Sequence, residues 1–261
     1  MPSELPELAR PAEFDIEVLL PVHNEAETIE ATIGEMCAEL SRLVRVRFIV
    51  CEDGSTDRTR EALARLPSAV PAKMILSEAR KGYSKAVRDG MQVAEAPYLL
   101  CLDSDGQCDP KDFARFWEAR GEADVVIGWR IRRADPVLRR VLSGVFYRIY
   151  QVFNRVPVHD PSCPYVLARK GVVDALVAEL GEMQQGFWWE FVARAHRRGF
   201  TIKEIPVHHR LRAGGTTRVY TLRKMPGIGY CHVRALFRIW RQTRACSQPR
   251  LGLHGPKTKQ P

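Results

Sequence analysis

Residues 98–107 read YLLCLDSDGQ, a short apolar run that opens directly into acidic and amide side chains. The apolar run predicts a strand, and alternate side chains of an extended segment point to the same side. Asp103, Asp105 and Gln107 would then present three oxygen ligands together where the strand ends. Such ligands suit a hard cation, Mg²⁺ or Mn²⁺, that bridges a diphosphate.

Similar apolar runs alternate along the chain with segments of helical periodicity. This alternation predicts an α/β fold with an open, mostly parallel sheet, helices on both faces, and ligands at the carboxyl ends of the strands. Thr56 with Asp57, and Asp109 with Pro110, are plausible helix starts. The predicted strands are Ile16 to Leu20, Val46 to Cys51, Lys73 to Leu76, Tyr98 to Leu102, Asp124 to Gly128 and Thr201 to Val207, and the first helices fall near 28–43, 57–66, 81–93 and 110–120.

The ends of the first two predicted strands carry different polar residues. The first strand runs into PVHNE, residues 21–25, without the glycines of a dinucleotide-binding loop, so a nicotinamide cofactor is not expected. The second ends in EDGSTD, residues 52–57. A turn and a helix cap account for Gly54 to Asp57. Glu52 and Asp53 are additionally placed to accept hydrogen bonds from a nucleobase or a ribose.

Charge divides the chain into two parts. Residues 194–261 contain 16 Lys and Arg and a single acid, Glu204, within a chain of net charge +9. Residues 1–193 contain 24 Lys and Arg against 30 Asp and Glu, so a basic tail follows a neutral-to-acidic front part. This suggests a partner with phosphate groups, lipid head groups or nucleic acid. No nucleic-acid motif accompanies it, and a nucleic-acid-binding role would leave Asp103 and Asp105 unused.

Two segments have the pattern of basic amphipathic helices. One spans residues 137–155, and in the other Val233, Leu236, Phe237 and Trp240 recur at helical spacing beside several arginines. Such helices either lie in a membrane interface or pack their apolar stripe on the domain. There is no apolar run of about 18 residues and no signal-like start, so neither a spanning helix nor a secretory signal is expected. Seven scattered cysteines without a C-x-x-C pair fit reduced, mostly buried thiols.

Taken in order, several motifs resemble those of family 2 glycosyltransferases, and most of all the polyprenyl-phosphate sugar synthases such as dolichol-phosphate mannose synthase. The likeness covers about residues 15–220 and implies a GT-A fold. The motifs are PVHNE (21–25), EDGSTD (52–57), KGYSKA (81–86), DSDGQ (103–107), GWR (128–130), DPSCPY (160–165) and RAGGTTR (212–218).

The resemblance implies a role for each matching residue. Asp103 and Asp105 would hold Mg²⁺ or Mn²⁺ with support from Gln107, and Arg130, Arg212 and Arg218 would contact phosphate groups of donor or acceptor. Asp105, Arg130, Arg212 and Glu190 form the candidate catalytic set. The donor nucleotide sugar would be bound by Pro21, Asn24, Glu25, Glu52, Asp53, Lys81, Asp103, Ser104 and Arg218.

The acceptor separates the hypotheses that the resemblance leaves open. A phosphate acceptor is already anionic near neutral pH, since its second pKa lies near roughly 6, and needs no general base. A hydroxyl acceptor needs one, and Glu190 in GFWWEF, residues 186–191, lies about where relatives keep a carboxylate. SCPY at residues 162–165 departs from the Ser-Gly-Phe-Arg pattern and loses an arginine, which leaves the acceptor details open. A nucleotidyltransferase would show a Gly-rich basic loop after the first strand, where this chain has PVHNE.

The expected organisation follows from these patterns. A flexible N-terminus would occupy residues 1–14, a GT-A domain 15–220, a basic membrane-interface helix 221–245 and a disordered tail 246–261. We expect inverting hexosyl transfer to a polyprenyl phosphate or another lipid-linked acceptor by a cytoplasmic protein, peripheral on the cytoplasmic face of the membrane. Whether a membrane-embedded partner subunit takes part is left open.

Overall fold

The computed structural model describes residues 12–131, 137–210 and 225–245. Seven strands form one sheet: β1 Ile16–Val22, β2 Val46–Glu52, β3 Ala72–Leu76, β4 Tyr98–Cys101, β5 Val125–Arg130, β6 Val166–Arg169 and β7 Ile202–Val207. Their spatial order is β3-β2-β1-β4-β6-β5-β7. All pairings are parallel except those of β6, which runs antiparallel to β4 and β5.

Eight α-helices accompany the sheet in the described part of the chain, with 3₁₀ turns at Pro110–Asp112 and Val177–Glu179. Asp109 caps the first of these turns, because its carboxylate accepts a hydrogen bond from Lys111 N at 3.0 Å, as the sequence predicts for this helix start. The helices are α1 Ile29–Leu40, α2 Thr59–Ala64, α3 Tyr83–Gln92, α4 Phe113–Ala119, α5 Val137–Asn154, α6 Lys170–Leu176, α7 Phe187–Arg197 and α8 Met225–Ala245.

The central strands are buried on both faces. Every residue of β1 from Ile16 to Leu20 is buried, and so are five consecutive residues of β2 from Phe48 to Glu52. Successive side chains of a strand point to opposite faces, so helices cover both sides of the sheet. This confirms the predicted α/β fold with a mostly parallel sheet.

The strand β6 is not among the predicted strands. It inserts between β4 and β5 and pairs Leu100 with Leu167 and Val126 with Leu167. Four residues carry too little periodicity to identify a strand from sequence. Because β6 lies between β4 and β5, the carboxyl ends of these two strands are separated by the width of one strand.

The helix α8 packs on the domain with a different face from the predicted one. Ala235, Leu236 and Ile239 are buried, and the ring of Trp240 lies 6.4 Å from that of Phe153 on α5. Phe237, by contrast, remains 46% exposed. Part of the predicted stripe therefore packs on the domain and part of it is exposed; the stripe consists of Val233, Leu236, Phe237 and Trp240. A helix rich in arginine still has to bury apolar area in order to pack on the domain.

Within the described ranges, no helix has both the length and the apolar character needed to cross a bilayer. Residues 1–11 of the predicted flexible N-terminus and the whole of the predicted tail, 246–261, lie outside the described residues.

Candidate active site

The loops after β1 and β2 bind each other at the carboxyl edge of the sheet. Asn24 adopts a left-handed backbone conformation with φ 57°, which Asn tolerates better than most residues. Its side-chain oxygen accepts a hydrogen bond from Thr56 N at 2.8 Å, and its backbone N–H donates to Ser55 Oγ at 3.0 Å. Thr28 Oγ1 donates to Glu25 in the same loop at 3.1 Å. The predicted donor-binding residues Asn24 and Glu25 thus form one rim of the candidate site.

Glu52 and Asp53 are buried at the end of β2, and internal donors bind both carboxylates. Glu52 accepts hydrogen bonds from Ser55 N and from Arg60 Nε, the latter at 2.7 Å. Burial alone would raise the pKa of Glu52, but these donors lower it below its ordinary value. Asp53 accepts from the backbone N–H groups of Lys81 and Gly82 at 2.6 and 2.8 Å. Both carboxylates hold loops in place, and their contact with a nucleoside stays a prediction.

Gly54 allows two of these loops to touch. It has φ +62°, and a Cβ built there would lie 2.5 Å from Ala79 C and 2.5 Å from Arg80 N. Backbone cannot move aside as a flexible side chain can, so only glycine fits. The loop before α3 is thereby pressed against the end of β2.

Asp103, Ser104 and Asp105 follow β4 at the centre of this edge. Ser104 is buried and donates to Pro21 O at 2.8 Å, which fixes the loop to the end of β1. Asp103 and Asp105 are half-buried. Asp103 Oδ1 accepts from Tyr83 Oη–H at 2.9 Å, and Asp105 Oδ1 accepts from Gln107 N at 3.1 Å.

The expected extended geometry of this segment is wrong. The strand ends at Cys101, and residues 104–106 form a bend with Gly106 at φ +72°. Asp103, Asp105 and Gln107 are therefore not placed on one side by strand alternation. The side chain of Gln107 instead contacts the segment that follows β7, where its Nε2 donates to Arg210 O at 3.2 Å.

The two aspartates fit a hard cation that takes its remaining ligands from elsewhere. In the described part of the chain, no three His, Cys, Asp or Glu side chains meet as a metal cage. Magnesium-like ions are usually held by one or two carboxylates together with waters and phosphate oxygens, so Asp103 and Asp105 suffice on the protein side. The donor set contains oxygen and no thiolate, which agrees with Mg²⁺ or Mn²⁺.

Arg130 lies at the end of β5 in a buried ion pair. Its Nε and Nη2 donate to the two oxygens of Asp160 at 2.8 and 3.0 Å, and Nη2 also donates to Ser162 Oγ at 2.8 Å. Burial would lower the pKa of Arg130, but the Asp160 carboxylate raises it above its ordinary value. The guanidinium stays charged, and its predicted contact with phosphate stays a prediction.

The other predicted cations are placed less directly. The ammonium group of Lys81 pairs with Asp89 on α3, while its backbone N–H binds Asp53. Arg212 and Arg218 lie outside the described residues.

The surroundings of Glu190 give little support to a role as general base, which stays a prediction for a hydroxyl acceptor. Glu190 is fully buried in α7, where Oε2 accepts hydrogen bonds from Gly181 N at 3.2 Å and Met183 N at 2.8 Å. Oε1 accepts from Arg194 Nε at 2.9 Å, and Arg194 is itself 1% exposed. A carboxylate bound in this way braces a loop and an ion pair.

Sequence reasoning missed two residues of the site. Tyr83, whose ring is 37% exposed, binds Asp103, and Trp188 Nε1 donates to Tyr83 Oη at 2.8 Å. Tyr83 lies inside the KGYSKA motif and Trp188 beside Glu190. No sequence signal links them, since they are 105 residues apart.

Comparison with known proteins identifies the family of the chain. The family model for glycosyl transferase family 2 matches residues 17–177, more than half of the chain. The dolichyl-phosphate hexose transferase of Haloferax volcanii is 28% identical over 207 residues, which cover 77% of this chain and 86% of that protein. The dodecaprenyl-phosphate galacturonate synthase of Rhizobium johnstonii is 26% identical over 215 residues, 78% of this chain and 62% of that one.

A solved structure shares the fold. The glucosyl-3-phosphoglycerate synthase of Mycobacterium tuberculosis, crystallised with Mn²⁺, uridine-diphosphate-glucose and phosphoglyceric acid, matches with a TM-score of 0.64 at 18% identity. The match covers 88% of this chain and 80% of that one. It confirms a GT-A type of fold. With the family match over residues 17–177, it follows that this chain is a glycosyltransferase and belongs to glycosyl transferase family 2.

Proposed function

We propose that the chain transfers a hexosyl group from a nucleoside diphosphate sugar to a polyprenyl phosphate, with inversion at the anomeric carbon. The names of two of its relatives contain dolichyl phosphate and dodecaprenyl phosphate, which are both polyprenyl phosphates. A structural neighbour is crystallised with a uridine-diphosphate sugar and Mn²⁺. The region between the loops after β1, β2 and β4 is the donor site in this proposal.

Negative charge develops on the donor diphosphate as its bond to the anomeric carbon breaks, and the reaction requires a group that stabilises this charge. Asp103 and Asp105 would hold Mg²⁺ or Mn²⁺ beside the diphosphate, with Gln107 supporting the loop. A divalent ion, when bound, neutralises the charge that develops on the leaving diphosphate. Arg130 would complement it at a phosphate of donor or acceptor. Arg212 and Arg218 are assigned the same task by their place in the family motif.

The donor nucleoside would lie on the rim formed by the first two loops. Asn24 is exposed there, and Pro21 is tied through its carbonyl to Ser104 beside the aspartates. Glu25 completes the rim. Glu52, Asp53 and Lys81 act in this proposal chiefly by shaping the loops, since their charged groups already have protein partners.

The burial of Glu190 is the observation that carries the choice of acceptor. A hydroxyl acceptor needs a base to remove its proton, and the carboxylate predicted for that task has both oxygens bound inside the protein. A phosphate monoester needs no such group, because it is already an anionic nucleophile at neutral pH. The geometry therefore favours a lipid phosphate over a lipid or glycan hydroxyl.

Metal removal and acceptor choice test the proposal together. Radiolabelled UDP- and GDP-sugars are offered with undecaprenyl phosphate, or with the free polyprenol as the hydroxyl control. We expect label in a mild-acid-labile lipid only with the phosphate, no label in EDTA, and recovery with Mn²⁺ or Mg²⁺. NMR of the product should show the anomeric configuration opposite to that of the donor. Equal labelling of the polyprenol would contradict the phosphate acceptor.

We also propose that the protein works as a peripheral protein on the cytoplasmic face of the membrane. On α8, Phe237 is 46% and Val233 36% exposed beside the exposed Arg234 and Arg241, and on the neighbouring α5 Val152 is 77% exposed. Apolar side chains among arginines match the boundary between acyl chains and anionic head groups. Such a surface would place the donor site near a lipid-linked acceptor.

Replacing Phe237 with Ser is expected to weaken binding to vesicles that contain phosphatidylglycerol by about tenfold, since an exposed phenyl ring is lost from the interface. Leu43, which is 50% exposed beyond the end of α1, gives the matched control as Leu43→Ser. Sedimentation with vesicles measures both variants. Equal losses of vesicle binding in the two variants, or no loss in Phe237→Ser, would show that α8 does not contact the membrane.

A further inference from the structure

A series of hydrogen bonds connects α7 with Asp103, the first aspartate after β4. Trp188 Nε1 donates to Tyr83 Oη at 2.8 Å, and Tyr83 Oη–H donates to Asp103 Oδ1 at 2.9 Å. An indole N–H can only donate and an ionised carboxylate can only accept, so the hydroxyl proton points at Asp103.

The indole of Trp188, the first donor in this series of hydrogen bonds, is held rigidly. Trp188 is 5% exposed, and its ring makes edge contacts with Phe187 and Phe191 at centroid distances of 5.1 and 5.7 Å. A buried aromatic packed in this way has few alternative rotamers. The Nε1 donor is thereby fixed in space.

The loop that leads into α7 is anchored at both of its ends. Ser84, the residue after Tyr83, donates to Gln184 O, and the Glu190 carboxylate binds Gly181 N and Met183 N. These bonds join the first turn of α3 to the first turn of α7. These bonds hold together the two elements that carry Tyr83 and Trp188, and the hydroxyl of Tyr83 contacts Asp103.

We propose that Tyr83, oriented by Trp188, is the positioning residue that sets the Asp103 carboxylate for the cation and the departing nucleotide. The proposal rests on the function proposed above, in which Asp103 and Asp105 clamp a divalent ion. A carboxylate has about four lone-pair sites, so one hydrogen bond fixes its plane and still allows a metal bond. Outer hydrogen bonds of this kind orient metal-binding carboxylates and raise metal affinity.

Calorimetric titration of the full chain with Mn²⁺, in the presence of UDP and separately of GDP, tests the proposal. Tyr83→Phe keeps the ring and loses only the hydroxyl, and we expect its Kd for Mn²⁺ to rise about tenfold. Trp188→Phe should raise this Kd by about threefold, since Tyr83 still binds Asp103. The double variant should match Tyr83→Phe, because Trp188 acts through the tyrosine. KM for Mn²⁺ in sugar transfer should follow the same order.

Tyr147→Phe is the matched control, since its hydroxyl donates to Val158 O at 2.9 Å and touches no residue of the acidic loop. Its Kd for Mn²⁺ should equal that of the unaltered chain. Thermal unfolding of all variants shows whether they fold equally. An unchanged or tighter Kd in Tyr83→Phe would overturn the positioning role and leave the transferase intact. If the unaltered chain and Asp103→Asn both fail to bind Mn²⁺ with either nucleotide, the proposed ion site is overturned, and this inference with it.

Discussion

Asp103→Asn is expected to lower kcat for sugar transfer by roughly a thousandfold, the loss typical when a charge-stabilising group of a transition state is removed. The substitution is nearly isosteric, and an amide oxygen can still accept the hydrogen bond that Tyr83 donates to Asp103. Only the negative charge toward the cation is lost. Asp105→Asn should have a similar effect, because two carboxylates are all that the described site offers a metal ion.

Initial rates at saturating donor, measured over a range of Mn²⁺ concentrations, check this result. Asp174→Asn is the control, since Asp174 is 56% exposed on α6 and pairs only with Lys170 in the same helix. That variant should keep its full rate. Unchanged metal-dependent activity in Asp103→Asn and Asp105→Asn would mean that the cation binds elsewhere and that the proposed mechanism is wrong.

The sequence predicts the sheet well where burial on both faces produces continuous apolar runs. β1, β2 and β4 begin and end within two residues of their predicted bounds, and their carboxyl ends bring the predicted loops together. The run of β6 is shorter, and both of its antiparallel partners, β4 and β5, lie earlier in the sequence and are distant from it. Pairing of this kind depends on tertiary packing, which a local pattern does not contain.

The candidate site shows the same division between local and distant information. Asp103 and Asp105 are recognised because they follow an apolar strand within a few residues. The structural tasks of Asp53 and Glu190 are not, since their donors lie in loops whose position depends on the whole fold. The contact of Tyr83 with Trp188 spans 105 residues and leaves no trace in local spacing.

The predicted apolar pattern of α8 is present in the helix, but the predicted face is not the one that packs on the domain. Val233, Phe237 and Leu236 recur at helical spacing, but Ile239 adds a second apolar row that the sequence interpretation left out. The structure buries Leu236 and Ile239 together and exposes Phe237. Periodicity alone gives the width of an apolar surface, and the neighbouring helices α5 and α7 decide which part of it is covered.

Glu190→Ala is expected to lower the free energy of unfolding by about 3 kcal/mol, because it breaks a buried ion pair and leaves Arg194 uncompensated. Arg194 is 1% exposed, and the compensation left to its charge is weak, because its remaining described side-chain partners are the partly exposed Glu179 and the neutral Gln242. The backbone N–H groups of Gly181 and Met183 also lose their acceptor. Chemical denaturation measures the change. Glu179→Ala is the control, and it should cost less, since Glu179 is 37% exposed.

Glu190→Gln separates this structural role from the catalytic one. The amide keeps the length of the side chain and one acceptor oxygen, so the variant should fold and retain kcat within about tenfold when assayed below its unfolding temperature. Loss of a general base would instead lower kcat by roughly a hundredfold to ten-thousandfold. A loss of that size in a folded Glu190→Gln protein would restore Glu190 as the base and point to a hydroxyl acceptor. Retained transfer to a lipid phosphate would show that the acceptor enters the reaction as an anion, without help from this carboxylate.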